Sequence, residues 1–137
     1  MFISYSHREA NIVFSEIKKV HDAGYNVWYD QGLTPGQEWD DEIAEALMGA
    51  SLLVVFISKN SMGSINVQDE IKLALNEQID ILPIYIEETE LPAGLKLRLA
   101  NKHALFKYLS TEEDYLKECI KTFKKAKLTV SERKEDE

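Results

Sequence analysis

Residues 51–75 read SLLVVFISKNSMGSINVQDEIKLAL, and this stretch decides the fold class of the chain. Its first part, 52–57, is an unbroken apolar run, which predicts a strand that is buried on both faces. The second part has apolar residues at the i, i+4, i+7 and i+8 positions of a helix: Val67, Ile71, Ala74 and Leu75. A buried strand followed directly by a helix is the repeating unit of parallel α/β sheets.

The same alternation continues along the rest of the chain. Four further β-rich segments are FISYS (2–6), YNVWYD (25–30), ILPIYIE (81–87) and HALFKYL (103–109). Helical patterns lie between them, so the sequence predicts an α/β fold with a parallel sheet covered by helices on both faces. Pro83 cannot donate to a ladder, so we expect it near the start of its strand or at a bulge.

Capping patterns predict where several helices begin and end. Ser6 and Glu9 have the spacing of a capping box at the start of the first helix, and Gly24 suits its C-terminal end. Asn66 and Asp69 are expected to cap the helix of the opening stretch. Residues 91–101 are ambiguous, and a short, irregular helix is one interpretation of them.

Composition limits the class of protein. The chain has 137 residues, which suits one domain, and 16 basic against 24 acidic residues give a net charge of −8. This balance argues against nucleic acid or an anionic membrane as the main partner. The longest apolar run is far short of the ~20 residues that span a bilayer. Because the SERKEDE tail has no apolar residue, we expect one domain over 1–128 and a disordered tail or linker over 129–137.

Cysteine and histidine usage gives two further expectations. Cys119 has the helical spacing of a buried core residue, and a single cysteine fits a reducing, cytoplasmic setting. The three histidines are scattered and no Cys/His cluster is present, so no metal site is expected.

Glu70 is the candidate functional residue of the opening stretch. At 100° per residue its side chain falls between those of Leu73 and Ala74, inside an otherwise apolar arc, whereas Asp69 faces water. Glu70 also follows the third strand, and ligands of open α/β sheets bind beyond the carboxyl ends of the strands. Two interpretations remain open from the residues alone: a functional acid, or an acid that stabilises the start of a helix through the macrodipole.

The connection after the second strand, residues 30–38, is longer than the usual two to six residues. Its centre, Pro35-Gly36, favours a rigid turn. A long loop at the ligand-binding end of a sheet is typical of functional loops, and the alternative is a solvated linker.

Three motifs together resemble the Toll/interleukin-1 receptor (TIR) family, most closely its bacterial members. They are FISYS at the start, GYNVWYDQGLTPG around the second strand, and SINVQDE at the start of the third helix. The resemblance covers roughly residues 1 to 125 and implies a flavodoxin-like, three-layer fold with a five-stranded parallel sheet in the order 2-1-3-4-5. It also makes 30–38 the family's BB loop.

The resemblance implies two functions of different classes. Many TIR domains cleave the nicotinamide–ribose bond of NAD⁺, and some form cyclic ADP-ribose; others are adaptors that only associate with TIR domains. In the enzymes the catalytic glutamate follows a pattern S-x-W-x-x-x-E, which Ser64 and Glu70 match, while Asn66 stands where the pattern has Trp.

The predicted site residues follow from this resemblance and from their positions at strand ends. Glu70 is the expected catalytic residue. The expected substrate-binding residues are Tyr5, Ser6, His7, Tyr29, Asp30 and Asn66. The expected interaction loop is Gln31, Gly32, Leu33, Thr34, Pro35 and Gly36.

The expected partners follow from the same resemblance. NAD⁺ is then a substrate rather than a cofactor, and no cofactor is expected. The other expected partners are further copies of the domain and a fused or separate sensor or effector domain.

Overall fold

The computed structural model of the chain describes residues 1–29 and 39–125, with the backbone alone described for Trp39 and Asp40. In that part of the chain five strands form one sheet: β1 (Phe2–Ser4), β2 (Trp28–Tyr29), β3 (Leu52–Ile57), β4 (Asp80–Tyr85) and β5 (Leu105–Phe106). The helices there are α1 (Ala10–Asp22), α2 (Trp39–Met48), α3 (Lys59–Met62), α4 (Ile65–Asn76), α5 (Ala93–Leu99) and α6 (Glu112–Lys125). Two 3₁₀ turns, His7–Glu9 and Lys107–Leu109, precede α1 and α6.

The sheet is parallel throughout and has the strand order β2-β1-β3-β4-β5. The predicted fold class and strand order are therefore confirmed. β3 is buried along its whole length, as its apolar run predicts, and it lies in the centre between β1 and β4. β1 and β3 are neighbours in the sheet. The chain continues from β1 to β2 on one side and from β3 to β4 on the other, so the topological switch point lies between the carboxyl ends of β1 and β3.

Two cores lie on opposite faces of this sheet. Because side chains alternate along a strand, Ile3 and Val54 pack on one face with α1 and α6, and Phe2 and Leu53 pack on the other with α2, α4 and α5. The second face carries Ile71, which is fully buried on α4. The helix that contains Glu70 is thus fixed against the sheet by its own apolar side.

Several expectations on strands and helix ends need correction. The second segment becomes a strand only from Trp28, where it pairs with Phe2 at the start of β1. Pro83 is neither at the start of β4 nor at a bulge, since the register with β3 is continuous from Asp80 to Tyr85. β5 pairs with β4 only at Ile84 and Tyr85. Pro83 precedes both residues, so a missing N–H on the β5 side of β4 removes no hydrogen bond from the sheet there.

The two predicted N-terminal caps are also wrong in their partners. Ser6 accepts a hydrogen bond from the backbone N–H of Arg8 at 3.3 Å, but the Glu9 side chain does not return to it. α4 is capped by Ser64, which accepts from the backbone of Val67 at 3.3 Å, and not by the Asn66–Asp69 pair.

The remaining helix expectations agree with the structure where it describes them. Gly24 follows α1 with φ of 103°, in the left-handed region that glycine adopts without strain. α5 is the short helix expected within 91–101. The expected loop 30–38, the end of the last helix near Leu128 and the tail 129–137 lie outside the described residues.

Candidate active site

Glu70 lies on α4 at the edge of its packed side. Val67, Ile71 and Ala74 are buried against the sheet, Asp69 is exposed, and Glu70 between these two sides is half-buried. This helix follows β3 after the short helix α3, and Glu70 hydrogen-bonds Ser4 at the end of β1, so this carboxylate stands at the switch point between β1 and β3. The placement agrees with the helical spacing of the sequence.

Ser4 is a buried partner of that carboxylate. Its hydroxyl donates a hydrogen bond of 2.6 Å to Glu70 Oε1, and the residue is 1% exposed at the end of β1. A hydroxyl–carboxylate bond of this length is in the range of strong, charge-assisted hydrogen bonds. The bond joins two residues 66 positions apart and connects α4 to β1 across the switch point.

Sequence reasoning missed Ser4, although it named the three residues that follow it. The signal available was a hydroxyl inside the apolar FISYS segment, on the same strand face as Phe2 and therefore on the α4 side of the sheet. That pattern is compatible with any buried serine, so the partner could not be read from it.

Two small cavities meet at Glu70. One, of about 40 Å³, is lined by Ile3, Tyr5, His7, Ser64, Asn66 and Glu70. The other, of about 240 Å³, is lined by Ile43, Ala44, Leu47, Asn66, Asp69, Glu70 and Leu73. Both are smaller than the roughly 300–1,000 Å³ of typical small-molecule pockets. Asn66 and Glu70 belong to both, because residues four apart lie on the same side of a helix.

The structure brings some of the predicted binding residues together and not others. Tyr5, His7 and Asn66 line a cavity with Glu70. Ser6 is buried and its hydroxyl binds the Arg8 backbone instead of lining that cavity. Asp30 and the six residues of the interaction loop lie outside the described part.

Tyr29 lies at the end of β2 and reaches the cavity through other rings. The ring centroids of Tyr29 and Phe14 are 5.6 Å apart. Those of Phe14 and Tyr5 are 5.8 Å apart, and those of Tyr5 and His7 are 5.2 Å apart. Phe14, on α1, is 41% exposed and was not among the predicted site residues. The row of rings begins at the cavity wall and continues toward β2.

A second carboxylate lies on the other side of the switch point. Glu9 accepts hydrogen bonds from Ser58 Oγ at 2.5 Å and from Asn60 Nδ2 at 3.3 Å. Ser58 directly follows β3 and is fully buried. Because these partners hold Glu9, its side chain connects the start of α1 to the end of β3 instead of closing the capping box predicted with Ser6.

Larger surface grooves occur elsewhere on the described part of the molecule. One of about 500 Å³ runs along α6, one of about 470 Å³ lies between α4 and α5, and one of about 370 Å³ lies at the amino ends of β3 and β4. We favour the smaller cavities at Glu70, because ligands of open parallel sheets bind at the carboxyl ends and because a held carboxylate lies there.

Two buried groups on α6 have raised pKa values. Burial raises the pKa of the Tyr115 hydroxyl, which hydrogen-bonds Glu16 and Cys119. Burial also raises the pKa of the Cys119 thiol to about 11, so this buried thiol, expected as core filler, is a poor nucleophile. These residues lie on the α1–α6 face, opposite α4. Among the described residues no group of three or more His, Cys, Asp and Glu side chains could hold a metal ion.

The sequence matches the family model of the TIR domain over residues 1–120. The chain belongs to the TIR-domain family. Two solved TIR structures have its fold. The TIR domain of the Toll-related receptor TRR-2 from Hydra magnipapillata is 15% identical, with a TM-score of 0.73 over 90% of this chain and 96% of that one. The TIR domains of the activated Roq1 resistosome, which directly recognises the pathogen effector XopQ, are 14% identical, with a TM-score of 0.63 over 89% of this chain and 97% of that one.

No curated protein matches the sequence. Within residues 1–29 and 39–125, every helix is too short or too polar to cross a bilayer.

Proposed function

We propose that this TIR domain is an NAD⁺ glycohydrolase that cleaves the bond between nicotinamide and ribose. The observation that carries the proposal is the Glu70 carboxylate, which is half-buried at the switch point, accepts a 2.6 Å hydrogen bond from Ser4 and lines two adjoining cavities. A carboxylate that only stabilised a helix start would need none of these features. The match to the TIR family supports the proposal, since some members of that family have this activity.

The reaction requires one carboxylate. As the C1′–N bond breaks, its electron pair leaves with nicotinamide, which departs neutral because the ring was cationic in NAD⁺, so no general acid has to protonate it. Positive charge develops on the ribose, and a carboxylate close to the ribose hydroxyls stabilises that charge in a site of low dielectric constant. Water then bonds to C1′ and releases a proton to solvent, which yields ADP-ribose. Attack by the adenine of the same molecule would yield cyclic ADP-ribose.

The neighbouring residues have complementary proposed roles. Tyr5, His7 and Asn66, which share the cavity with Glu70, would contact the nicotinamide ribose. Ser6, Tyr29 and Asp30 are proposed to contact the rest of the dinucleotide. Asn66 offers hydrogen bonds but little stacking area, so we expect weaker binding of the nicotinamide ring than a Trp would give.

Self-association is the proposed means of activation. TIR domains commonly associate with one another, and the Roq1 relative is described in an assembled, activated resistosome. We propose that this chain forms TIR–TIR homo-oligomers through residues 31–36, that a fused or separate sensor domain drives this association, and that the setting is bacterial defence in the cytoplasm.

The test is NAD⁺ consumption by the wild-type chain over a rising range of protein concentration, with nicotinamide and both forms of ADP-ribose separated by chromatography. The proposal predicts nicotinamide release whose rate per molecule rises with concentration. The alternative function, a non-catalytic adaptor, predicts no nicotinamide release even when the domain is concentrated or artificially clustered.

A further inference from the structure

Two crossed pairs of carboxylate and serine bridge β1 and β3 at the switch point. Glu70, on the helix after β3, accepts from Ser4 of β1 at 2.6 Å. Glu9, in the turn after β1, accepts from Ser58 after β3 at 2.5 Å. The serines are 1% and 0% exposed, so in both pairs a rigid, buried hydroxyl holds a carboxylate that comes from the neighbouring strand's connection.

The two pairs differ in their relation to the cavity. Glu70 lines it, whereas Glu9 and Ser58 do not, and the two Glu9 oxygens accept from Ser58 and Asn60. The Glu9–Ser58 pair therefore has the same chemistry and nearly the same distance as the Ser4–Glu70 pair, without a surface on the cavity. It serves as an internal comparison for the role of the Ser4 hydrogen bond.

We infer that Ser4 is a positioning residue whose buried hydroxyl fixes the Glu70 carboxylate at the crevice and so sets the rate of bond cleavage. This inference rests on the proposed function. A glutamate side chain has three rotatable bonds, and a donor on a strand of the sheet selects among its rotamers. Ser4 itself does not line the cavity, so its effect is exerted through Glu70.

Loss of this hydroxyl is expected to affect turnover more than binding. The Glu70 carboxylate then loses a buried donor that helps to select its rotamer, and misplacement by about 1 Å can cost on the order of 100-fold in rate. We expect Ser4→Ala to lower kcat by roughly 10-fold to 100-fold and to leave KM within about 3-fold. Ser4→Thr, which keeps the hydroxyl, is expected to recover most of kcat.

The experiment compares Ser4→Ala, Ser4→Thr and Glu9→Gln with the wild type in two measurements. The first is the ¹³C resonance of the Glu70 carboxyl, assigned by its loss in Glu70→Gln; it is expected to move in Ser4→Ala and to stay in Glu9→Gln. The second is NAD⁺ turnover. Of the three variants, only Ser4→Ala is expected to have a markedly lower kcat. In a Glu70→Gln background, the same substitution is expected to have no further effect. Thermal unfolding confirms that each variant is folded.

Each outcome decides one claim. A Glu70 resonance that does not move in Ser4→Ala overturns the inference, whether or not the protein turns over NAD⁺. Equal losses of kcat in Ser4→Ala and Glu9→Gln overturn it as well, because the effect would then be general to the crevice. A wild type without turnover refutes the proposed reaction and with it the claim on rate, and the resonance then shows only whether Ser4 holds the carboxylate.

Discussion

Replacing Asn66 by Trp tests whether the nicotinamide end of NAD⁺ lies beside α4. Asn66 is exposed, one turn before Glu70, and lines both cavities with it. Because the position is exposed and Asn and Trp have similar helix propensities, we expect the fold to accept the larger side chain. A Trp here would offer a flat surface next to the Glu70 carboxylate.

The expected magnitude follows from stacking. An aromatic pair contributes about 0.5–1.5 kcal/mol beyond its buried area, which corresponds to roughly a 2-fold to 10-fold lower KM for NAD⁺. The Glu70 carboxylate is unchanged, so kcat should stay within about 3-fold. Initial rates of nicotinamide release over a range of NAD⁺ concentration measure both parameters.

The matched control is Ile65→Trp. Ile65 is 75% exposed on the same helix, but it projects about 100° away from Asn66 and lines neither cavity. This variant should have the wild-type KM. A folded Asn66→Trp protein with unchanged KM, or an equal effect of both substitutions, would refute the placement of the substrate beside α4.

Three further predictions concern other parts of the chain. Because burial raises the pKa of Cys119 to about 11, iodoacetamide at pH 8 should modify it slowly in the folded protein and quickly in guanidinium chloride; rapid modification of the folded form would contradict its burial. Glu16→Gln should lower the free energy of unfolding, measured in urea, by about 1–3 kcal/mol, because the Glu16 side chain is 6% exposed beside Lys19 and Lys107. The control is Glu112→Gln, whose side chain is 62% exposed; it should change the free energy of unfolding by less than about 1 kcal/mol. Gly36→Pro should weaken self-association and NAD⁺ turnover together while the melting temperature stays the same, and normal sedimentation and activity would count against the proposed interaction loop.

The fold could be predicted because its central elements depend on local patterns. The run Leu52–Ile57 is long, wholly apolar and followed by helical spacing, and the structure buries every residue of it in the central strand. Strand lengths were less predictable, since they depend on the partner: β2 begins only at Trp28, which pairs with Phe2 at the start of β1. The position of Pro83 inside β4 was also not predictable, because the sheet accepts a proline there only if β5 begins to pair after it.

Capping residues show where local rules stop being sufficient. Ser, Asn and Asp are almost equally good N-caps, so the prediction of Asn66 for α4 was no better founded than Ser64, which the chain uses. Glu9 had the spacing of a capping box, but a buried serine 49 positions away provides a stronger partner.

The candidate site was predictable to the same extent. The position of Glu70 follows from helical periodicity and from the rule for parallel sheets, and both agree with the structure. Its partner Ser4 could not be identified, because the hydrogen bond depends on how β1 and α4 are placed beside each other, and the two residues are 66 positions apart in the sequence. Phe14 was missed for the same reason, since it joins the site only through its contacts with Tyr5 and Tyr29.

The central claim, that the Glu70 carboxylate promotes cleavage of NAD⁺, is tested most directly by NAD⁺ turnover of Glu70→Gln. The amide keeps the shape and can still accept from Ser4, but it lacks the negative charge, so kcat should fall on the order of 10²–10³-fold. The melting temperature should change by less than about 3 °C. Glu77→Gln, which removes the same charge from the exposed end of α4, should retain wild-type turnover. Unchanged turnover in Glu70→Gln, or a loss of stability of about 1 kcal/mol without any catalytic effect, would contradict the account and identify Glu70 as a helix-stabilising acid.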